Sequence, residues 1–353
     1  MAARRHEGAD MSRTQTAIHV AVALVGAALI VRDTARQAER RNPPIGNFVE
    51  ACGGRLHYLQ AGTGEPAVVF IHGNGSMVEE FAASSLLDLV AQHHRVIVFD
   101  RPGFGHSLRP RGRTWTAPDQ AGILLEACTN LGIERPIIVG HSWGTLVALA
   151  MALNHPERVS GLVLVSGYYY PTARTDVAMF APVALPILGD IMRYTISPIL
   201  GSLFLPKMIR KVFEPAPVPQ RFKAEVPTSM MLRPSQIRAS AQDTASMIPS
   251  AATLQARYGE LRLPVGIIAG AGDRFVDPNQ QAARLHQDVL GSTLSIVQGE
   301  GHMVHHGAAA LIAMAIEAVA EEAKRGDTDL GTPALSEVVK AGRDVLRPDS
   351  LGG

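Results

Sequence analysis

Six short apolar runs constrain the fold of this chain more than any other feature of its sequence. They are Ala67–Ile71, Val96–Phe99, Ile137–Val139, Leu162–Val165, Val265–Ile268 and Leu294–Val297. A run that is apolar at nearly every position suits a strand buried on both faces, as in a parallel sheet. Between the runs, apolar residues recur at three- and four-residue spacing, which predicts helices near 77–91, 117–131, 143–154, 278–290 and 306–323. The alternation predicts an α/β fold on a mostly parallel sheet.

Two further segments complete the predicted organisation. Arg55–Leu59 alternates in polarity, which predicts an antiparallel edge strand. Between Gly167 and Leu263 the chain is rich in Pro, Met, Leu and Ala, which predicts short helices, broken at prolines such as Pro206, lying over the sheet as a lid. We therefore expect an N-terminal segment with linker (1–46), a first core part (47–167), a helical cap (168–262), a second core part (263–325) and a tail (326–353).

Charge and composition exclude several classes of function. The chain has 353 residues and a formal net charge of +1, so no nucleic-acid partner is expected. Apolar residues make up 46% of the chain, enough for a large core. Cys52 and Cys128 are too few for a disulfide scaffold or a cysteine-based zinc site, and we expect two free, buried thiols.

The N-terminal segment contains an uncharged, apolar stretch at residues 17–31, AIHVAVALVGAALIV, with arginines on both sides. As a helix it would span roughly 22 Å, which is short of a hydrocarbon core of about 30 Å. A membrane anchor is the leading hypothesis. A cleaved export signal and a helix packed on a cytoplasmic domain are the alternatives. Asn42-Pro43-Pro44 ends the segment and is typical of a linker.

A candidate nucleophile lies between a predicted strand and a predicted helix. Gly140-His141-Ser142-Trp143-Gly144 is a G-x-S-x-G sequence that directly follows Ile137–Val139. A sharp strand-to-helix turn of this kind projects a serine hydroxyl above the carboxyl edge of the sheet. The N-terminus of the following helix favours negative charge that develops there. Ser142 is therefore the predicted nucleophile.

Two later loops supply the base and the acid that an activated serine needs. Gly270-Ala271-Gly272-Asp273 and Gly299-Glu300-Gly301-His302 each follow a predicted strand, in the chain order Ser, Asp, His. Asp273 and His302 are therefore the predicted partners of Ser142. Asp277 precedes Pro278 and is instead predicted to cap a helix.

The oxyanion of a tetrahedral intermediate needs two hydrogen-bond donors. The backbone N–H of Trp143 is one predicted donor, since it follows the nucleophile. The backbone N–H of Asn74 is the other, because it lies in the glycine-rich loop His72-Gly73-Asn74-Gly75 after a predicted strand.

His305 and His306 follow His302 at helical spacing, but the sequence places no carboxylate or cysteine cluster beside them. We predict no metal and no cofactor, and we expect both histidines to cap or flank the last helix.

Taken together, these motifs resemble those of the α/β-hydrolase superfamily. The resemblance spans about residues 47–323 and rests on HGNG at 72–75, DRPGFGHS at 100–107, GHSWG at 140–144, HPERV at 155–159, GAGD at 270–273 and GEGH at 299–302. It implies an eight-stranded, mostly parallel sheet with helices on both faces, a cap after the sixth strand and a Ser142–His302–Asp273 triad. Relatives that open epoxides or cleave carbon–halogen bonds use aspartate at the position of Ser142, which argues against both activities.

The cap carries many aromatic and Met residues, which suits an apolar substrate but also a core of its own. The residues expected to line the substrate site are His72, Gly73, His141, Tyr168, Tyr169 and Met303. The leading hypothesis is a serine hydrolase acting on a carboxylic ester with an apolar acyl or alkyl group. Carbon–carbon hydrolysis, cofactor-free haloperoxidation, acyl transfer and a non-catalytic, membrane-tethered accessory role stay open, since one triad serves many reactions.

Overall fold

The computed structural model describes residues 2–113, 115–172 and 182–325, with the backbone alone for residues 2–14. Its centre is an eight-stranded sheet. The strands are β1 Asn47–Ala51, β2 Gly54–Ala61, β3 Val68–Ile71, β4 Val96–Phe99, β5 Ile137–His141, β6 Gly161–Val165, β7 Val265–Gly270 and β8 Thr293–Val297. Each of the six apolar runs forms a strand, and Arg55–Leu59 lies in β2, as predicted.

The strand order is β1-β2-β4-β3-β5-β6-β7-β8. β1 and β2 pair antiparallel, and β2 is antiparallel to β4, whereas the strands from β3 to β8 are all parallel to one another. The order reverses around β3, which pairs with both β4 and β5. Loops at the carboxyl ends of strands beside such a reversal form a crevice suited to binding. The loops after β3, β5, β7 and β8 are the ones that carry the predicted site residues.

Helices cover both faces of the sheet and bury two apolar cores. Gly144–Asn154 and Ala117–Asn130 pack on one face, and Ser85–Val90 and Ala309–Lys324 on the other. Every residue of Gly144–Asn154 except the last is buried, because the sheet lies on one side of this helix and other helices on the other. The remaining core helices are Val78–Ala82, Arg284–Asp288, preceded by one π-helical turn at Asn279–Ala283, and Val304–Gly307.

The described residues between β6 and β7 form helices and no strand, which agrees with a helical cap after the sixth strand. The helices are Leu188–Arg193, Ile196–Phe213, Gln220–Glu225, Thr228–Met231 and Pro234–Gln255. The predicted break at Pro206 is wrong, since Ile196–Phe213 continues through it. Pro206 is exposed, so water can satisfy the carbonyl that its missing N–H leaves free. Met179 and Phe180 of the predicted cap, and the tail 326–353, lie outside the described residues.

A single N-terminal helix, Ala2–Arg41, extends well beyond the apolar stretch. Its portion Gln15–Arg41 is long and apolar enough to cross a membrane. A signal sequence can have the same length and composition. Near its end, Ala38 packs against Met77 and Met230. The helix therefore joins the domain beside the cap.

The two cysteines are free, but only one is buried. Cys128 lies in the core beside β1, whereas Cys52 is exposed in the turn between β1 and β2. The expectation of two buried thiols is wrong for Cys52, because this turn lies at the edge of the sheet.

Candidate active site

The turn between β5 and the helix Gly144–Asn154 holds Ser142 in a strained conformation. Its φ angle is 53°, in the left-handed region that residues with a side chain rarely adopt. Its backbone N–H donates to the carbonyl of Val165 over 2.9 Å. Gly144 has no room for a side chain, since a Cβ there would lie 2.2 Å from the carbonyl oxygen of Ile71. The turn thus matches the predicted geometry, with Ser142 at the carboxyl edge of the sheet.

Ser142, His302 and Asp273 form a continuous hydrogen-bond chain. Nε2 of His302 lies 2.8 Å from Oγ of Ser142, and Nδ1 of His302 lies 2.7 Å from Oδ2 of Asp273. The Asp273 carboxylate accepts a hydrogen bond from Nδ1–H, so Nε2 is free to accept the Ser142 hydroxyl proton. The serine and the imidazole are both within reach of a proton transfer.

Backbone amides hold Asp273 in place. Its Oδ1 accepts hydrogen bonds from the N–H groups of Phe275 and Val276, at 2.8 and 2.9 Å, which leaves Oδ2 for His302. The rival carboxylate Asp277 accepts from the N–H groups of Asn279 and Gln280, at 2.8 and 3.0 Å. Asp277 therefore caps the next helix, as predicted.

The loop after β3 approaches Ser142 closely. A Cβ on Gly73 would lie 3.0 Å from the Cβ of Ser142, so glycine permits this approach. Nδ1 of His72 lies 2.7 Å from the Gly73 carbonyl, and Nε2 of His72 accepts from the N–H of Arg101 at 3.0 Å. Burial lowers the pKa of His72 to about 4, so a neutral imidazole fixes the loop. His72 thus shapes the loop, whereas Gly73 faces the nucleophile.

Both predicted oxyanion donors lie beside the nucleophile. Trp143 immediately precedes the helix Gly144–Asn154, and Asn74 follows Gly73 in the loop after β3. Among the described residues, neither backbone N–H has a hydrogen-bond acceptor. Both amides are therefore free to donate to an oxyanion.

The chain matches a known protein family over most of its length. The sequence model of the alpha/beta hydrolase fold matches residues 66–309. The chain belongs to the α/β-hydrolase family.

Curated relatives of this α/β-hydrolase have two different activities. Haloalkane dehalogenase 2 of Mycobacterium tuberculosis is 30% identical over 142 residues, which are 40% of this chain and 49% of the dehalogenase. The chain thus matches about half the length of that relative. The 2-hydroxy-6-oxononadienedioate/2-hydroxy-6-oxononatrienedioate hydrolase 2 of Pseudomonas putida is 28% identical over 254 residues, which are 70% of this chain and 85% of the relative.

Solved structures share the fold of this hydrolase at lower identity. A thermophilic esterase from Thermogutta terrifontis aligns with a TM-score of 0.63 at 21% identity, over 77% of this chain and 97% of the esterase. A membrane phospholipase A, described as a novel bacterial virulence factor, aligns with a TM-score of 0.58 at 17% identity, over 96% of this chain and 99% of that chain.

A buried charge network ties the hydrolase core to the cap helix Pro234–Gln255. Nη1 of Arg101 lies 2.5 Å from Oδ2 of Asp243, and Nη1 of Arg109 lies 2.9 Å from its Oδ1. All three side chains are nearly or fully buried. Arg101 also donates to the carbonyls of His72 and Gly73, so the cap carboxylate holds a group that fixes the loop after β3. No sequence motif surrounds Asp243, so it could not be predicted as part of the site.

The same cap helix contacts both oxyanion residues directly. The Asn74 side-chain amide donates to the hydroxyl of Thr244 at 2.8 Å and to the carbonyl of Ser240 at 3.2 Å. The indole N–H of Trp143 donates to the carbonyl of Asp243 at 3.0 Å. The cap helix therefore fixes the side chains of the two predicted oxyanion residues.

Two further imidazoles, those of His141 and His305, lie beside the loop that carries His302. His141 lies with its Nε2 3.1 Å from the backbone carbonyl of His302, and its ring centroid lies 4.5 Å from that of His305. Burial lowers the pKa of His141 well below its usual value, so Nε2–H of a neutral ring donates to that carbonyl. His141 thus holds the backbone of His302 in place through this hydrogen bond.

The structure corrects one premise about His305 and His306. A carboxylate does face them, because Nε2 of His305 is hydrogen-bonded to Oε1 of Glu80 and Nε2 of His306 lies 3.3 Å from the same oxygen. One ligand atom from each residue lies within 4.8 Å of the others, a spacing that would also suit a metal ion. Burial alone would raise the pKa of Glu80, but the two imidazoles hold it well below its usual value. Both histidines lie at the start of the last helical region, as predicted.

Three residues expected to line the substrate site are buried. Tyr168 and Tyr169 are 2% and 0% exposed and belong to the main core. The hydroxyl of Tyr168 donates to the carbonyl of Thr172, and the backbone N–H of Tyr169 donates to the side chain of Gln281. Met303 packs with Phe213 under the cap. These residues are apolar enough to fill space between helices, so their sequence pattern did not distinguish core from site.

Proposed function

We propose that this α/β-hydrolase is a serine hydrolase, with Ser142 as nucleophile, His302 as general base and acid, and Asp273 as the residue that orients the imidazole. The observation that carries the proposal is the continuous hydrogen-bond chain from Oγ of Ser142 through His302 to Oδ2 of Asp273, at the strained turn after β5. The two backbone amides of Asn74 and Trp143 are proposed as the oxyanion donors.

The geometry supports a two-step acyl transfer. Oγ of Ser142 bonds to the substrate carbonyl carbon while Nε2 of His302 takes the hydroxyl proton. The carbonyl oxygen becomes an oxyanion, which accepts hydrogen bonds from Asn74 and Trp143. The bond to the leaving alcohol then breaks, and the alcohol takes the proton from His302. Water, deprotonated by the same imidazole, releases the acyl group and restores the serine.

The proposed substrate is a carboxylic ester with an apolar acyl or alkyl group. The apolar cap supports this choice, since ligand pockets are lined mainly by apolar side chains. Two structural neighbours, an esterase and a phospholipase A, carry names of ester-cleaving enzymes. Their low identities support the fold alone, so the choice of ester depends on the site and the cap.

Carbon–halogen cleavage is disfavoured by the nucleophile itself. A carboxylate that displaces a halide gives an alkyl ester, which water can hydrolyse. Ser142 would instead give an ether, which the same triad cannot hydrolyse. The relationship to haloalkane dehalogenase 2 therefore does not extend to its reaction.

Hydrolysis of a carbon–carbon bond is the second candidate. It is favoured by the Pseudomonas putida relative, which this chain matches over 85% of that protein's length. The same serine, imidazole and oxyanion donors would serve a ketone carbonyl with a carbon leaving group. Turnover of a 2-hydroxy-6-oxo-dienedioate, measured by loss of its visible absorbance, would favour this candidate over an esterase.

The first test is hydrolysis of p-nitrophenyl esters from acetyl to palmitoyl. We expect Ser142→Ala to fold normally and to lose about three or more orders of magnitude in kcat/KM. Ser160→Ala, at the opposite edge of the sheet just before β6, is the matched control and should keep full activity. Near-normal turnover by Ser142→Ala would exclude this mechanism.

A fluorophosphonate distinguishes an enzyme without ester activity from a non-catalytic accessory protein. Labelling of Ser142 without ester turnover would indicate a different acyl or carbon–carbon substrate. Absence of both labelling and turnover would support the accessory role.

We also propose that the N-terminal helix anchors the protein in a membrane. Residues Gln15–Arg41 have a mean hydropathy of 1.7 in their most apolar window, and only 6% of that window is buried against the protein. An apolar helix that does not pack on its own domain needs another apolar environment.

A further inference from the structure

Exposed apolar side chains are concentrated in two parts of the molecule. Of the twenty-one large apolar side chains that are exposed among the described residues, seven lie on the N-terminal helix and ten on the front part of the cap. The cap residues are Leu185, Ile187, Leu188, Ile191, Ile196, Ile199, Leu200, Leu203, Phe204 and Met208. Exposed apolar residues normally occur singly, and a concentration of them marks contact with an apolar partner.

On the helix Ile196–Phe213 these side chains form one stripe. Ile196, Ile199, Leu200, Leu203 and Phe204 follow one another at helical spacing, and Leu203 is 69% exposed. On the other side of the helix Gly201, Leu205 and Ile209 are half-buried, and Phe213 at its end is buried. The stripe is therefore the outer face of the cap and not an unfilled part of its core.

Basic residues occupy the end of the same outer face. Lys207, Arg210 and Lys211 are exposed and follow the apolar stripe within two turns. An apolar face bordered by Lys and Arg is the pattern of a helix that lies at the surface of a bilayer, with its cations near anionic headgroups. The charge thus favours a lipid surface over a second apolar protein.

The N-terminal helix attaches to the domain close to the cap helix that carries this face. The helix becomes buried against the domain at Val31 and packs there again at Ala38, with no flexible spacer after the apolar stretch. Glu39 of this helix pairs with Arg233 at 2.8 Å. The neighbouring Leu232 contacts the helix Ile196–Phe213, since a Cβ on Gly201 would lie 2.7 Å from its side chain. The apolar face and the anchor are therefore adjacent.

We propose that the outer face of the helix Ile196–Phe213, together with residues 185–191, rests on an anionic phospholipid bilayer. The proposal depends on the membrane anchoring proposed above and extends the proposed ester substrate to one whose acyl chain is dissolved in that bilayer. Contact with lipid would explain why so many apolar side chains are exposed in this part of the cap, whereas the helix Pro234–Gln255 is bonded to the core.

The docked helix is also close to the triad. The backbone N–H of Met303 donates to the carbonyl of Val212 at 3.2 Å, and Gly301 lies against the carbonyls of Phe213 and Glu214. The end of the docked helix thus contacts the residues on both sides of His302. The helix that carries the apolar face is therefore joined directly to the loop of His302.

The test measures lipid contact directly in the full chain, independently of hydrolysis. In a Cys52→Ser background, Leu203→Cys is labelled with the environment-sensitive fluorophore NBD and reconstituted in phosphatidylcholine vesicles with or without phosphatidylglycerol. Leu290→Cys is the matched control, since Leu290 is 77% exposed and lies in the core domain before β8. Replacing either exposed leucine should not disturb folding.

We expect the label at position 203 to shift to shorter wavelength and to lose emission when doxyl-labelled lipids are added, more strongly with phosphatidylglycerol. The label at position 290 should show neither effect. A water-like spectrum at position 203 would overturn the proposal. A blue shift that doxyl lipids do not quench would also overturn it, because it would indicate a second copy of the chain on this face. Esterase activity of the same samples reports separately on the proposed function.

Discussion

At the scale of single residues, the sequence predicts the proposed triad but not the residues that support it. Ser142, Asp273 and His302 each stand in a glycine-containing motif at the end of an apolar run, so local sequence reveals both their type and their place. Asp243 lies inside a helix of ordinary composition, and its partners Arg101 and Arg109 are more than 130 positions away. Only the folded chain brings these charges together.

We expect the loss of the Asp243 carboxylate to be severe. Asp243→Ala would leave the buried guanidinium groups of Arg101 and Arg109 unpaired, which costs about 3–5 kcal/mol of unfolding free energy. Asp88→Ala is the matched control, because the Asp88–Arg221 pair is exposed and should contribute less than about 1 kcal/mol. Urea denaturation of both variants measures the difference, and equal losses would contradict a structural role for the buried network.

Glu79 gives a pH-dependent prediction. Burial, followed by the nearby charge of Asp100, raises the pKa of Glu79 from 4.5 to about 7. Between these values the unfolded chain releases the proton while the folded protein keeps it, so this group makes stability fall as pH rises.

Glu79→Gln should remove that loss. Relative to the unsubstituted protein, the variant should gain about 3 kcal/mol between pH 4 and pH 8. Urea denaturation across this range measures the gain, and Glu134→Gln, at an exposed carboxylate, should leave the pH profile unchanged. A gain that appears as pH falls would have the wrong sign and would refute the assignment.

At the scale of elements, strands were easier to predict than the cap helices. A strand buried on both faces must be apolar throughout, so composition alone marks it. The ends of the cap helices depend on contacts with the core, and exposure rather than sequence decided that Ile196–Phe213 continues through Pro206. For the same reason the sequence pattern could not separate the core residues Tyr168 and Tyr169 from residues that line a site.

The turn after β5 predicts opposite effects for two Gly→Ala substitutions. Gly144→Ala should abolish activity and destabilise the fold, because its Cβ would lie 2.2 Å from the carbonyl oxygen of Ile71. Gly122→Ala, inside the helix Ala117–Asn130, meets no atom within 4 Å and should stabilise the fold by about 0.5–1 kcal/mol. Thermal unfolding and ester turnover of both variants check this, and a stable, active Gly144→Ala would show that the turn is not as tight as described.

At the scale of the whole molecule, the end of the N-terminal helix packs beside the cap. The apolar stretch could be predicted from the sequence but its attachment could not, since the contacts of Ala38 with Met77 and Met230 join distant parts of the chain.

We expect the full chain to stay in the membrane pellet after an alkaline carbonate wash, because a spanning apolar helix is not released by pH or salt. N-terminal sequencing of the pelleted protein should show that residues 17–31 are retained. Release into the supernatant, or a new N-terminus after residue 31, would support export by a cleaved signal instead.

The helix Pro234–Gln255 is bonded to the core. Its sequence is therefore more constrained in evolution than that of the cap segment before it. Asp243, Thr244 and Ser240 of this helix hold residues on which the proposed reaction depends, whereas residues 185–208 carry the exposed apolar side chains of the cap. We expect divergence of substrate range within a lineage of such enzymes to be concentrated in this earlier segment. A chimera built by exchanging that segment should keep its chemistry, while exchange of the whole cap would remove the supports of the catalytic loops along with the old specificity.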